Sequence, residues 1–203
     1  MRNTTSDTDP NITDGRRARK DRNKNAVLDA MIELFTADKD PTPEDIAAVC
    51  GLSPRSVYRY FEDRDSLILA AIERNQERLW PQFRIQGFGK GPLEVRIDRF
   101  VQSRLSLYES NADLSRATRR RAAGNEHIRA NAEFSQEQLR SQLIGQFATE
   151  FEIMDSKQSR STIAALDALT QFEGLDYYRV TRKFSNAATI TMLIDTFNDL
   201  LGD

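Results

Sequence analysis

The chain has 203 residues, 30% of them charged, a net charge of −2 and a mean hydropathy of −0.60. That length holds one domain, or a small head on a larger body, and no apolar run approaches the ~20 residues of a bilayer span, which argues against a membrane protein. One cysteine, Cys50, and one histidine, His127, exclude an intrachain disulfide, a paired-thiol site and a multi-histidine metal centre.

The segment Met1 to Gly15 has no apolar stretch of the kind a secretory signal needs, so a cytoplasmic location is expected. Its polar character, without apolar anchors, predicts a disordered tail over residues 1–15. Next comes a basic arm, Arg16, Arg17, Arg19, Lys20, Arg22 and Lys24 against Asp21. This local +5 leaves −7 for the rest of the chain, an asymmetry that suggests a basic arm on an acidic body.

Apolar residues spaced three and four apart, with glycine and proline confined to joints and no period-two segment, predict an all-α fold. Val27, Leu28, Met31, Leu34 and Phe35 place a first helix over about 21–37. Thr42-Pro43-Glu44-Asp45 reads as a helix start, with a hydroxyl at the N-cap, proline at the first position and acids facing the positive helix end. The second helix is short and stops at Gly51. Ser53-Pro54 repeats the start signal for a third helix to about Phe61, and Asp63 caps a fourth that runs to about Phe83. Glycines 87, 89 and 91 with Pro92 form a loop. Five more helices are expected, over about 93–109, 111–124, 126–151, 155–172 and 180–201, for about nine in all.

The second and third helices have the spacing of a helix-turn-helix. At 100° per residue Val57 and Phe61 share one face, while Arg55 and Arg59 point almost opposite, flanked by Ser56 and Tyr58. A core-facing pair behind an arginine pair suits a helix inserted in a DNA groove. Arginine can bond bidentately to guanine, so Arg55 and Arg59 are the base-reading candidates. Thr42, Ser53, Pro54, Ser56, Tyr58 and Tyr60 are candidates to meet the backbone or base edges, with Arg64 placed to clamp the backbone beyond the groove.

The run from Asp45-Ile46-Ala47 through Gly51-Leu52-Ser53-Pro54-Arg55-Ser56-Val57-Tyr58-Arg59-Tyr60-Phe61-Glu62-Asp63-Arg64-Asp65-Ser66-Leu67 resembles the DNA-binding region of TetR-family transcriptional regulators. The match covers about 40 residues, or 60 with the first helix; the segment Thr36 to Asp40 departs from it by lacking the usual Gly-aromatic turn. The resemblance implies a helix-turn-helix DNA-binding head over 16–66, a helical effector-binding and dimerisation body over 67–203, a homodimer, a palindromic double-stranded DNA operator and a small-molecule effector. It also implies that the basic arm lies against DNA. No cofactor or metal is expected.

In the body, the final helix is apolar over more than one stripe and needs partners on two sides. The family would build a dimer interface from the last two helices, with Ile163, Leu166, Phe172, Phe184, Ala187, Ile190, Ile194 and Phe197. An effector pocket is expected among Trp80, Phe83, Phe100, Tyr108, Phe134, Leu143 and Phe147, although the same spacing is the ordinary signature of a core. Arg116, Arg119, Arg120, Arg121 and Arg129 raise the idea of an anionic effector against the alternative of a solvated helix face. The chain thus reads as a ligand-responsive repressor. The rival readings are a helix-turn-helix used for protein contacts and a helical enzyme, for which the sequence offers no catalytic constellation.

Overall fold

The computed structural model describes residues 10–37 and 41–202, with side chains from residue 15 onward. Among the described residues there is no strand, and the fold is all-α. The described residues form two compact units, divided between Asn75 and Gln76. The border therefore falls inside the fourth helix rather than at residue 66.

The first unit holds α1 (Pro10–Thr36), α2 (Pro43–Cys50), α3 (Pro54–Tyr60) and most of α4 (Arg64–Leu79). Helix α1 starts well before Asp21, because arginine, lysine and alanine are good helix formers and carry the helix upstream of its buried face. The basic residues Arg16 to Lys24 therefore ride on exposed helix. Residues 1–9 of the expected disordered tail lie outside the described residues, as do 38–40 in the departing loop. Val27, Met31 and Phe35 are fully or almost fully buried, as are Ile46, Ala47 and Val57, in the three helices that pack on one another. Each large apolar side chain so buried contributes ~1.5–3 kcal/mol.

The second unit begins with the end of α4 and a 3-10 turn, Trp80–Phe83, where Pro81 has no N–H to continue the α ladder. It continues with α5 (Leu93–Ala122), α6 (Glu126–Gln146), α7 (Ala148–Ile153), α8 (Ser156–Thr170), α9 (Phe172–Asp176), a π-helical turn (Tyr177–Thr181) and α10 (Asn186–Leu201). Its core is an aromatic triangle of Phe100, Phe147 and Phe197, with ring centres 5.3 to 5.4 Å apart. Leu143, Leu166 and Leu193 pack in the same cluster.

In the second unit three helix boundaries differ from expectation. The helices expected at 93–109 and 111–124 are one, α5, because Asn111 and Asp113 do not cap. Asn111 bonds the Ser115 hydroxyl at 2.9 Å and Asp113 accepts from Arg116 at 2.8 Å, both within the helix. The expected helix 126–151 breaks at Phe147, whose φ and ψ of −120° and 28° are not helical. Just before the break, Gly145 leaves room for the Phe88 ring, which a Cβ there would meet at 2.9 Å. The last helix begins at Asn186 rather than Val180, with Ser185 as its N-cap; the π turn takes up Val180.

Candidate nucleic-acid interface and effector region

The helix-turn-helix is built by its caps. The Thr42 hydroxyl accepts from the Asp45 amide at 3.2 Å while the Asp45 carboxylate accepts from the Thr42 amide at 2.9 Å, a reciprocal capping box. Gly51 sits at φ 69°, the left-handed conformation that lets α2 stop and the chain turn. Ser53 caps α3 by accepting from the Ser56 amide at 3.3 Å, and Pro54 fills the first helical position. Asp63 caps α4 through the Ser66 amide at 2.7 Å.

These caps fix which way α3 faces. Val57 is buried, while Pro54, Arg55, Tyr58 and Arg59 are exposed, Tyr58 at 62%. Phe61 is buried just beyond the helix, which ends at Tyr60. Arg55 makes no hydrogen bond or ion pair among the described residues, so its guanidinium is available. Arg59 is folded back, donating to the Tyr60 hydroxyl at 2.9 Å and lying over its ring at 5.1 Å. Thr42, Ser53 and Ser56 spend hydroxyl bonds on capping and on each other, so their first role is to shape the motif. Arg64 is exposed on the first turn of α4. Lys24 lies 5.6 Å above the Phe61 ring, tying the last basic residue of the arm to the end of α3.

With that geometry in hand, the chain can be set beside solved structures. A TetR-family transcriptional regulator from Streptomyces coelicolor superposes with a TM-score of 0.70 at 19% identity, over 89% of this chain and 80% of that one. A proposed TetR-family regulator from Rhodococcus sp. gives 0.67 at 19% identity, over 89% of this chain and all of that one. This is the TetR-family fold. A TetR transcriptional regulator from Rhodococcus sp. RHA1 also shares it, with a TM-score of 0.54 at 16% identity over 90% and 98% of the two chains. No family model and no curated protein matches the sequence.

Within this TetR-type body the expected effector-lining residues fall into separate groups. Phe100, Leu143 and Phe147 are fully buried in the packed core, whereas Phe134 is 63% and Trp80 54% exposed. Trp80 stacks on Phe83 at 5.7 Å. Tyr108 is buried and donates to Asp176 at 2.9 Å; burial, with Asp176 beside it, pushes its hydroxyl up to about 12. Phe100, Tyr108, Leu143 and Phe147 pack in the core cluster.

The arginine run is also spoken for. Arg116 pairs with Asp176 at 2.6 Å and Asp113 at 2.8 Å, and Arg119 pairs with Glu173 while lying 4.1 Å over the Phe172 ring. Among the expected interface residues, Leu166 and Phe197 are fully buried within the chain, because they face the core stripe of α8 and α10. That corrects their assignment. Phe172 is half-buried under Arg119, and Phe184 is half-buried, stacked on Tyr178 at 5.8 Å. Ile163, Ile190 and Ile194 remain half-buried, with Ala187 exposed.

Two residues the sequence reading passed over are buried arginines of α5, Arg96 and Arg104. Both fall in or beside the register of Ile97, Phe100, Val101, Leu105 and Tyr108, and a charge inside an apolar stripe was the available signal. Among the described residues no helix is long and apolar enough to cross a membrane, and no three side chains are grouped to hold a metal.

Proposed function

We propose that this chain is a sequence-specific DNA-binding transcriptional regulator. It acts in the cytoplasm as a homodimeric repressor that leaves a palindromic operator when a small effector binds the body. The observation that carries the reading is α3, with Val57 buried behind it and, on the outer face beside Tyr58, an exposed Arg55 that makes no hydrogen bond or ion pair among the described residues. Regulators of the same fold support it by their names.

The roles follow from the geometry. Arg55 reads guanine, and Arg59 joins it once it exchanges the Tyr60 hydroxyl for a base. Tyr58, Ser53 and Arg64 hold the phosphates. The exposed basic residues of α1 add sequence-independent attraction that weakens with salt. Ile163, Ala187, Ile190 and Ile194 form the surface for a second copy, which places two recognition helices about one DNA turn, ~34 Å, apart. An effector acts only through its different affinity for the DNA-competent and released conformers.

Fluorescence anisotropy against tiled DNA flanking the gene for this chain, with excess nonspecific competitor, tests the reading. Competitor-resistant binding to one tile is expected. Failure to bind any DNA, even at low salt, would sink it.

A further inference from the structure

Helix α10 carries charges that oppose its own dipole. Its two charged residues, Asp195 and Asp199, are both acids in its second half, with Asp199 in the last turn. Two bases, Arg182 and Lys183, stand just before its Ser185 cap. A helix is electrically positive at its N-terminal end and negative at its C-terminal end, so each group of charges sits at the end that repels it. The first turn has no acid and the last turn no base. All four charged residues are exposed, and none of their side chains makes a hydrogen bond or an ion pair among the described residues.

The same helix presents a face of mostly small residues. Thr189, Leu193 and Phe197 are buried on its core side. Ala187, Thr191 and Asn198 are exposed and, at 100° per residue, fall within about 40° of one another, with Ile194 and Asp195 at the edges. Such a face lets another helix approach closely. Thr191 is the midpoint of the pattern, since Lys183 and Asp199 lie eight residues to either side of it and Ala187 and Asp195 four. Turning the helix end for end about Thr191 therefore exchanges Lys183 with Asp199 and Ala187 with Asp195.

We propose that α10 packs antiparallel on the α10 of a second copy, with Thr191 on the two-fold axis and Lys183 against Asp199 of that copy. The inference deepens the homodimer of the regulatory reading and rests on it. A two-fold interface must be self-complementary, and this charge order is so only when the helices run in opposite directions. Asp195 then lies over the first turn of the second helix, which has no acid of its own, and Arg182 and Lys183 lie by its acidic last turn. A parallel copy would set Lys183 on Lys183 and Asp199 on Asp199. A wholly acidic or wholly basic partner would suit one end of the face and be repelled at the other; a second copy satisfies both.

The test introduces K183C, T191C or D199C singly into the full chain carrying C50S, oxidises each protein, and reads covalent dimer beside the mass from sedimentation. T191C should cross-link to itself, whereas K183C and D199C should cross-link only with each other, after the two are refolded together. K183E should raise the dimer Kd about tenfold, because each pair occurs twice in the dimer, and K183E/D199K should restore it. Both substitutions relieve the dipole of α10 itself, so weaker association cannot come from a poorer helix. Self-linking of K183C and of D199C overturns the antiparallel packing. A dimer mass without the T191C link, or no recovery in K183E/D199K, overturns the contact and leaves the homodimer standing; a monomer mass overturns both. Loss of DNA binding with the T191C link intact would sink the regulatory reading alone.

Discussion

Arg96 and Glu150 face each other inside the second unit as a fork on a carboxylate, with Nη1 donating to Oε2 at 2.8 Å and Nη2 to Oε1. The same arginine donates to the Gly91 carbonyl at 3.1 Å and the Gln146 carbonyl at 3.0 Å. It thereby ties the glycine-rich loop to the break between α6 and α7. The Arg96 bonds hold the Glu150 carboxyl below the usual carboxylate range.

A folded value below the unfolded one means that this stabilisation is fully present above the ordinary carboxylate pKa and is lost as pH falls through the folded value. Thermal melts from pH 7 downward should therefore show an acid limb that is shallower in E150Q. At neutral pH E150Q should be less stable by roughly 3 kcal/mol, because it leaves Arg96 buried without its counter-charge. Identical pH profiles for the two proteins would contradict the pairing.

Ser53→Ala removes the cap of α3 but none of its outer face. Its expected cost is about 1 kcal/mol of stability, seen as a fall in Tm of about 2–4 °C for a chain of this size. Circular dichroism melts check it, and an unchanged Tm would show that Pro54 alone sets the helix start.

The residues first read as pocket lining separate by burial. Phe147→Ala opens a hole in the aromatic triangle and should cost ~3–5 kcal/mol, whereas Phe134→Ser, on the surface, should change stability by less than about 0.5 kcal/mol. Urea denaturation distinguishes them; a mild Phe147→Ala effect would mean that the core is open enough to admit a ligand.

Ile190 is half-buried on α10, on the surface assigned to a second copy. Sedimentation at micromolar concentration should give the dimer mass for the wild type and the monomer mass for I190D. A monomeric wild type would remove the dimer from the account.

The head was the more legible part because its signals are local. Thr42-Pro43, Gly51, Ser53-Pro54 and Asp63 each fix a backbone conformation through a cap or a turn, and the structure realises all four. The body depends on contacts between distant residues, which periodicity does not carry. Asn111 looked like a cap but bonds Ser115 within α5. The start of α10 depends on Ser185, after a π turn that has no simple sequence signal. Spacing alone also left Phe100 and Phe147 ambiguous between wall and core, and packing decided for core. Arg104 was legible only as an anomaly, one charge in an apolar register.

The most direct test compares the wild type, R55A and R64A on the selected DNA tile and on scrambled DNA at two salt concentrations, by anisotropy. R55A should lose ~1–3 kcal/mol on the selected tile, with one base preference relaxed and little change on scrambled DNA. R64A should weaken both and flatten the salt slope. If R55A binds the selected tile as tightly and as selectively as the wild type, α3 does not read DNA and the central claim fails.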